Sequence, residues 1–299
     1  MAEAEPLVAA PAREREARAL VAALRPRQWP KNLLVFAGII FAAAFDDPAK
    51  WGAAAATFVA YCAASSAAYL FNDVRDAEED RLHPLKRKRA VASGALSREA
   101  ALRAAAVLAV GAVAIMVWFG WPSLVYIAGF LALQGAYSYR LKHVALIDVM
   151  AIATLFAVRA AAGAEAVDVR ISPWLIVCTA LLALFLALAK RRAELVSTTE
   201  AARGRPVLDG YSVELVDQLV TIVAACTIAA YALYTFEARE GSAMMATIPF
   251  VVFGLFRYLQ LMHRQDLGEE PENVLLTDLP ILATIALWAL MSGLILGLS

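Results

Sequence analysis

The sequence predicts an all-α fold: a polytopic membrane protein built as a bundle of nine transmembrane helices with polar loops on the cytoplasmic side. Hydrophobic residues make up 62% of the 299 residues, and the mean hydropathy is +0.64. This composition is too apolar for an ordinary soluble domain of that length. The apolar residues also come in runs, most of which reach the roughly 20 residues that a helix needs to cross the hydrocarbon core.

The apolar runs place the helices in chain order, and the first run is the shortest. They cover residues 32–45, 51–71, 100–119, 122–139, 144–163, 173–189, 213–236, 243–262 and 279–298. Residues 1–24 are rich in Ala, Arg and Glu and lack the apolar core of a signal peptide. We expect them to form a mobile or interfacial arm ahead of one transmembrane domain over residues 25–299.

The positive charges predict the orientation of the bundle. Most lysines and arginines lie before the first helix and in the loops after the second, fourth, sixth and eighth, whereas the opposite loops carry only Lys50, Arg170 and Arg239. By the positive-inside rule, the N-terminus and the long polar loops face the cytoplasm and the C-terminus faces out. We expect a multi-pass protein of the cell membrane, with the lipid bilayer as its surroundings and no nucleic-acid partner. A homo-oligomer is left open.

The strongest chemical signal is a cluster of acids after the second helix. Asn72, Asp76 and Asp80 recur at every fourth residue and Asp73 lies three before Asp76, so all four can share one helical face. Such a face suits Mg²⁺, which prefers oxygen ligands and is often shared with substrate phosphates. The other two acids of the cluster fall on different faces and are expected to be solvated: Glu78 and Glu79. Basic residues follow directly and could bind phosphate oxygens.

Residues 72–89 read N-D-x-x-D-x-x-x-D-R-x-H-P-x-K-x-x-R, which resembles the first aspartate-rich motif of the UbiA superfamily of intramembrane prenyltransferases. Residues 25–32, 83–94, 137–143, 190–195 and 271–278 are similar to the branch of that superfamily that transfers phosphoribose to decaprenyl phosphate for cell-wall arabinan synthesis. The resemblance implies Mg²⁺ as cofactor, 5-phosphoribosyl 1-diphosphate as donor and a polyprenyl phosphate as acceptor.

The resemblance also implies roles for residues of this chain. Asp73, Asp76 and Asp80 are the expected catalytic residues, and with Asn72 they are the expected metal ligands. The expected substrate contacts are mostly basic and come from the N-terminal segment, the acidic motif and the later loops. They are Arg27, Lys31, Asn72, Arg81, His83, Lys86, Arg89, Tyr139, Lys142, Asp148, Lys190, Arg191, Arg192 and Tyr211.

The loop after the sixth helix departs from the prenyltransferase pattern. Aromatic prenyltransferases of the superfamily carry a second aspartate-rich motif there, but this chain has the basic residues Lys190, Arg191 and Arg192. A basic segment suits a substrate phosphate that is bound without a metal bridge. Within the fifth helix, Asp148 is expected to face the cavity, where it could accept sugar hydroxyls or orient Lys142. The deeper charge, Arg159, could equally be paired structurally.

Two other functions stay open. A prenyltransferase could use the same fold to move a polyprenyl diphosphate onto an aromatic or other small acceptor, although the missing second aspartate motif counts against this. A transporter or scaffold could also carry charged cytoplasmic loops. It would have no need of an Asn and three Asp on one helical face followed by a tract of bases.

Overall fold

The computed structural model describes residues 12–41, 46–84, 86–170, 172–197, 206–237, 243–264, 274 and 277–298. Within these ranges all regular elements are helical, which confirms the all-α prediction. The α-helices are α1 (Ala12–Ala23), α2 (Ala37–Phe41), α3 (Pro48–Arg75), α4 (Ala77–Leu82), α5 (Arg98–Val117), α6 (Trp121–Tyr139), α7 (Ile147–Ala166), α8 (Pro173–Ser197), α9 (Val213–Glu237), α10 (Ile248–Arg264) and α11 (Leu279–Leu298). Short 3₁₀ helices cover Pro26–Phe36, Lys86–Lys88, Leu141–His143, Pro206–Gly210 and Ala243–Thr247.

The described residues contain six helical segments long and apolar enough to cross a membrane. They are Pro48–Arg75, Arg98–Val117, Ile147–Ala166, Pro173–Val196, Val213–Phe236 and Ala243–Arg264. Helix α11 is apolar over the shorter range Leu279–Ile295, and α6 falls outside this set. The last eight predicted runs each overlap one of the helices α3 and α5 to α11. By length and hydropathy, however, only six described segments qualify as spans.

The first predicted run differs most from the structure. Its described part begins as a 3₁₀ helix that continues into α2, and residues 42–45 lie outside the description. Pro30 lies inside the 3₁₀ helix and has no N–H to donate to an α-helical hydrogen bond. The segment also lies directly on α7, because a Cβ on Gly163 would be only 2.0 Å from the carbonyl oxygen of Val35. Glycine is therefore required at position 163.

Local sequence fixes where the long helices begin. The Asp47 side chain accepts hydrogen bonds from the backbone of Ala49 and Lys50 at the start of α3, and Pro48 occupies the first helical position. Ser97 caps α5 by accepting from the Ala100 N–H. Both are favourable N-terminal arrangements, since the first N–H groups of a helix have no partner within it.

Contacts between the polar connecting segments gather at one end of the bundle, which we call the polar end. Lys142 before α7 reaches Asp76 after α3. Tyr211 before α9 reaches Asp148 at the start of α7. Arg192 near the end of α8 donates to the carbonyl of Met262 near the end of α10. Polar side chains that lie far apart in the sequence therefore come to the same end of the bundle.

Candidate active site

A cavity of about 210 Å³ opens at the polar end. Its walls come from the end of α3, from α4 and the turn after it, from α6, and from the connector to α7. Charged side chains of both signs line it: Arg25, Asp76, Glu79, Asp80, Lys86, Arg89 and Lys142. The mixture suits a ligand that carries several negative charges together with a bound cation.

The acids reach the cavity because the helical repeat continues across the junction between α3 and α4. Helix α3 ends at Arg75, and Asp76 joins it to α4 with φ −88° and ψ 6°. The i to i−4 hydrogen bonds persist, from the Asp76 N–H to the Asn72 carbonyl at 2.9 Å and from the Asp80 N–H to the Asp76 carbonyl at 2.8 Å. The predicted spacing on one face is therefore kept, although the helix is not continuous.

Asn72 and Asp76 surround the ammonium group of Lys142. The Lys142 Nζ lies 2.6 Å from each carboxylate oxygen of Asp76 and 3.2 Å from the Asn72 Oδ1. The Asn72 amide also donates to the Asp76 Oδ2 at 2.9 Å. Lys142 is mostly buried, with 8% of its surface exposed. Three oxygens thus converge on one positive charge inside the protein.

Asp73 and Asp80 form a second pair around arginines. The Arg89 Nη1 donates to the Asp80 Oδ2 at 2.8 Å and to the Asp73 Oδ1 at 3.4 Å. Arg25 donates to the same oxygen of Asp73 at 2.5 Å, and its guanidinium carbon lies 4.9 Å from the centroid of the Tyr69 ring. Both carboxylates are almost fully buried, so the arginines supply the balancing charge that a buried carboxylate requires.

These donors fit a magnesium ion shared with a substrate. Among the described residues no three His, Cys, Asp or Glu side chains converge on one point, so the single four-ligand face expected from the sequence is resolved into two pairs. Mg²⁺ is commonly held by one or two carboxylates plus phosphates and water. Each pair offers such a set of oxygens.

Comparison with known proteins agrees with the family resemblance of the acidic motif. The model of the UbiA prenyltransferase family matches residues 33–295. The chain belongs to the UbiA prenyltransferase family. It is 34% identical to the decaprenyl-phosphate phosphoribosyltransferase of Mycolicibacterium smegmatis over 87% of this chain and 86% of that protein. It is also 34% identical to the protein of the same name from Mycobacterium tuberculosis, over 87% of this chain and 88% of that one.

The fold is shared with solved UbiA structures. A UbiA homolog from Archaeoglobus fulgidus, solved with DMAPP and Mg²⁺ bound, superposes with a TM-score of 0.72 over 94% of this chain and 99% of that one, at 17% identity. The UbiA fold and the six apolar helices together make this chain a multi-pass membrane protein. Because the sequence identity is low, the similarity to this solved structure supports a shared fold and nothing further.

The cavity of this UbiA protein contains seven of the seventeen side chains predicted for its site. Seven line the cavity: Asn72, Asp76, Asp80, His83, Lys86, Arg89 and Lys142. Asp73 lies behind them and contacts Arg25 and Arg89. Arg81 instead donates to the Ala92 carbonyl and pairs with Glu78. Arg27, Lys31 and Tyr139 are not among the lining residues.

The structure corrects the expected orientation of Asp148. Its side chain is fully buried and does not line the cavity. It accepts a hydrogen bond of 2.6 Å from the Tyr211 hydroxyl, and its other oxygen lies 3.0 Å from the Arg191 Nε. Lys142 contacts Asp76 instead. Burial raises the pKa of Tyr211, and the bond to Asp148 raises it further, so the hydroxyl stays protonated and donates.

The basic residues near the end of α8 also lie outside the cavity lining. Arg191 is 2% exposed and pairs with Asp148 and Glu194. Arg192 donates to the Asp217 carboxylate at 2.6 Å and to the Met262 carbonyl at 3.0 Å. Both guanidinium groups therefore bind carboxylates or carbonyls of the protein itself. In this arrangement they are not positioned to make the direct phosphate contact that the sequence predicted.

Several cavity residues were missed or set aside in the sequence. Arg25 precedes the 3₁₀ helix with φ 53° and ψ 61°, a conformation that sequence spacing does not reveal. Glu79 was expected to be solvated but lines the cavity, whereas Glu78 pairs with Arg81 and Arg98 as a surface acid. Helix α6 and the following connector contribute four further polar side chains: Gln134, Tyr137, Ser138 and His143. Their polarity near the end of an apolar run was the available signal.

Proposed function

We propose that this protein transfers 5-phosphoribose from 5-phosphoribosyl 1-diphosphate to a polyprenyl phosphate, in the first instance decaprenyl phosphate, and releases diphosphate. The observation that carries the proposal is the cavity in which paired carboxylates lie beside Arg25, Lys86, Arg89 and Lys142. It is supported by the names of the relatives that match most of the chain. The product would serve cell-wall arabinan synthesis.

The charges of the cavity suit a diphosphate leaving group. Arg25, Arg89 and Lys86 offer guanidinium and ammonium donors for its oxygens, and charge-assisted hydrogen bonds to phosphate are among the strongest in proteins. When held at one of the two pairs, Asn72 with Asp76 or Asp73 with Asp80, Mg²⁺ would supply further neutralisation of the charge that builds on the departing diphosphate. Groups aimed at that charge lower the barrier because they bind the transition state better than the substrate.

Carbon–oxygen cleavage at the anomeric carbon leaves an oxocarbenium-like centre. The lipid phosphate, already an anion at neutral pH, can attack this carbon without a general base. The proposed roles of Asp76 and Lys142 are therefore charge balance and positioning rather than proton transfer. Arg27, Lys31 and Lys190 are proposed to position the lipid phosphate near the membrane surface.

The same proposal includes the topology expected from the charges. Nine membrane-crossing helices would place the N-terminus and the cavity in the cytoplasm and the C-terminus outside, in the cell membrane. The donor, a soluble sugar phosphate, would then enter from the cytoplasm, and the lipid acceptor would enter from the bilayer. A homo-oligomer remains compatible with this arrangement.

The test compares two donor classes on one preparation. Purified protein is incubated with labelled 5-phosphoribosyl 1-diphosphate and decaprenyl phosphate, or with a prenyl diphosphate and an aromatic acceptor, each with and without Mg²⁺. We expect a labelled lipid product from the first pair only. Product from the prenyl diphosphate alone would replace the proposal by a prenyltransferase. Neither product, in protein that binds neither donor, would favour a transporter or scaffold.

A further inference from the structure

Residues 140–146, which we call the α6–α7 connector, carry Lys142 and His143 into the cavity. Its first end is fixed by Arg75 of α3, which donates to the Tyr139 carbonyl at 3.0 Å. The Arg75 guanidinium carbon also lies 4.2 Å from the centroid of the Tyr139 ring. This end of the connector is therefore attached to the helix that carries Asn72.

Tyr211 fixes the other end. Its hydroxyl accepts a hydrogen bond of 2.7 Å from the Leu146 N–H and donates one of 2.6 Å to the Asp148 Oδ1. Leu146 has φ 66°, which is rare for a residue with a branched side chain and persists only where the surroundings impose it. The neighbouring chain is packed just as tightly, because a Cβ on Gly210 would lie 2.7 Å from the Cβ of Ala145.

The negative charge of Asp148, which accepts from Tyr211, is balanced by Arg191 outside the cavity lining. Asp148 is 0% exposed and Arg191 is 2% exposed, and 3.0 Å separates the Asp148 Oδ2 from the Arg191 Nε. A buried carboxylate of this kind needs a cationic partner to remain charged. Tyr211, Asp148 and Arg191 all lie outside the cavity lining, so a direct contact with the substrate does not explain them.

We propose that Tyr211 is a positioning residue: its hydroxyl, held by Asp148, which in turn pairs with Arg191, fixes the α6–α7 connector and so places the Lys142 ammonium at Asp76. The connecting segment before α9 thereby sets the geometry of the cavity, although it does not line it. Displacement of a catalytic group by about 1 Å can lower a rate roughly a hundredfold. The inference rests on the proposed function only in that Lys142 serves the reaction.

The kinetic test is a double-mutant cycle between Tyr211→Phe and Lys142→Met. Alone, Tyr211→Phe is expected to lower kcat/KM about tenfold to a hundredfold, the range for a lost hydrogen bond to a charged group. In the Lys142→Met background it should change kcat/KM less than about twofold, because residues that act through one group are not additive. Equal losses in both backgrounds would overturn the proposal.

Tyr231→Phe is the matched control. The Tyr231 hydroxyl is also buried and makes two hydrogen bonds, to Thr247 and from Trp288, each 2.7 Å long. Its loss should affect stability as Tyr211→Phe does, but its effect on kcat/KM should be the same with and without Lys142. If Tyr211→Phe does not fold, Gly210→Ala perturbs the same packing from the backbone and should show the same dependence on Lys142.

A measurement without substrate separates this inference from the proposed function. Hydrogen exchange is followed by mass spectrometry on peptides that contain Leu146 in the purified protein. We expect exchange in Tyr211→Phe to be several-fold faster than in the wild type and in Tyr231→Phe. Unchanged exchange would overturn the inference, whereas faster exchange in a protein that rejects the phosphoribosyl donor would retain it and remove the proposed function alone.

Discussion

Among the residues of the proposed site, Asp76 gives the clearest test, because its carboxylate lines the cavity and pairs with Lys142. Asp76→Asn keeps the shape of the side chain but removes the charge beside Lys142. We expect kcat/KM to fall at least about a hundredfold, because the lost charge acts mainly in the transition state. Chelation by EDTA should abolish the activity and added Mg²⁺ should restore it, as measured by product formation.

The matched control for this substitution is Glu78→Gln. Glu78 lies two residues away on the surface, where hydrogen bonds from Arg98 and Arg81 lower its pKa. Exposed ion pairs of this kind contribute little, so activity should change less than about twofold. Equal losses in Asp76→Asn and Glu78→Gln, or full activity in EDTA, would contradict the role given to Asp76.

The sequence predicted Arg27 as a substrate contact, but the arginine that lines the cavity is Arg25. Arg25 donates to Asp73 and lines the cavity, whereas Arg27 is exposed and outside the lining. Arg25→Gln should lower kcat/KM with the phosphoribosyl donor about tenfold to a hundredfold, since it removes a charged hydrogen bond at a buried site. Arg27→Gln should cost much less. The reverse order in steady-state assays would restore the original assignment.

For single residues, the sequence predicted the helical spacing of the acids but not the basic residues that contact them. The spacing of Asn72, Asp76 and Asp80 is a local property of a helix, so periodicity alone placed them together. The contact between Arg25 and Asp73 joins residues 48 positions apart and depends on a left-handed backbone at Arg25. The same reason applies to Arg159, whose Nε donates to Asn32 at 2.7 Å across a separation of 127 residues.

Among the elements, the 3₁₀ helix Pro26–Phe36 is the one that the apolar pattern misassigned, and its packing on α7 gives a test. Gly163→Ala would place a methyl group against the Val35 carbonyl. Overpacking of this kind typically costs about 1–3 kcal/mol, so the temperature of thermal unfolding should fall. Because Arg25 directly precedes this 3₁₀ helix, a shift of the helix would also move Arg25, and activity should fall as well.

Gly111→Ala is the control for that prediction. Gly111 lies within α5, and a Cβ there would meet nothing within 4 Å. Alanine is favoured over glycine inside a helix by about 0.5–1 kcal/mol, so this variant should unfold at the same temperature or slightly higher. Both variants are compared with the wild type in one detergent and at one scan rate. A Gly163→Ala protein as stable as Gly111→Ala would mean that the 3₁₀ helix does not lie against α7.

For the whole molecule, composition was sufficient to predict a helical membrane protein but not its number of spans. Hydropathy and length are met by six described segments. Helix α6 carries Gln134, Tyr137 and Ser138 toward the cavity, and these polar groups lower the hydropathy of its sequence. A helix that lines a polar site can thus fall below the hydropathy expected of a span, so the count must be decided by topology.

Reporter fusions decide it, because an odd number of spans places the two ends of the chain on opposite sides of the membrane. With nine crossings, a reporter at the N-terminus or within residues 198–205 should score cytoplasmic, and one after Ser299 should score external. The basic loops predict that orientation, since lysine and arginine are retained on the cytoplasmic side. Both termini on one side would exclude nine spans. An external score for residues 198–205 would place the polar end, and with it the cavity, away from the cytoplasmic sugar donor.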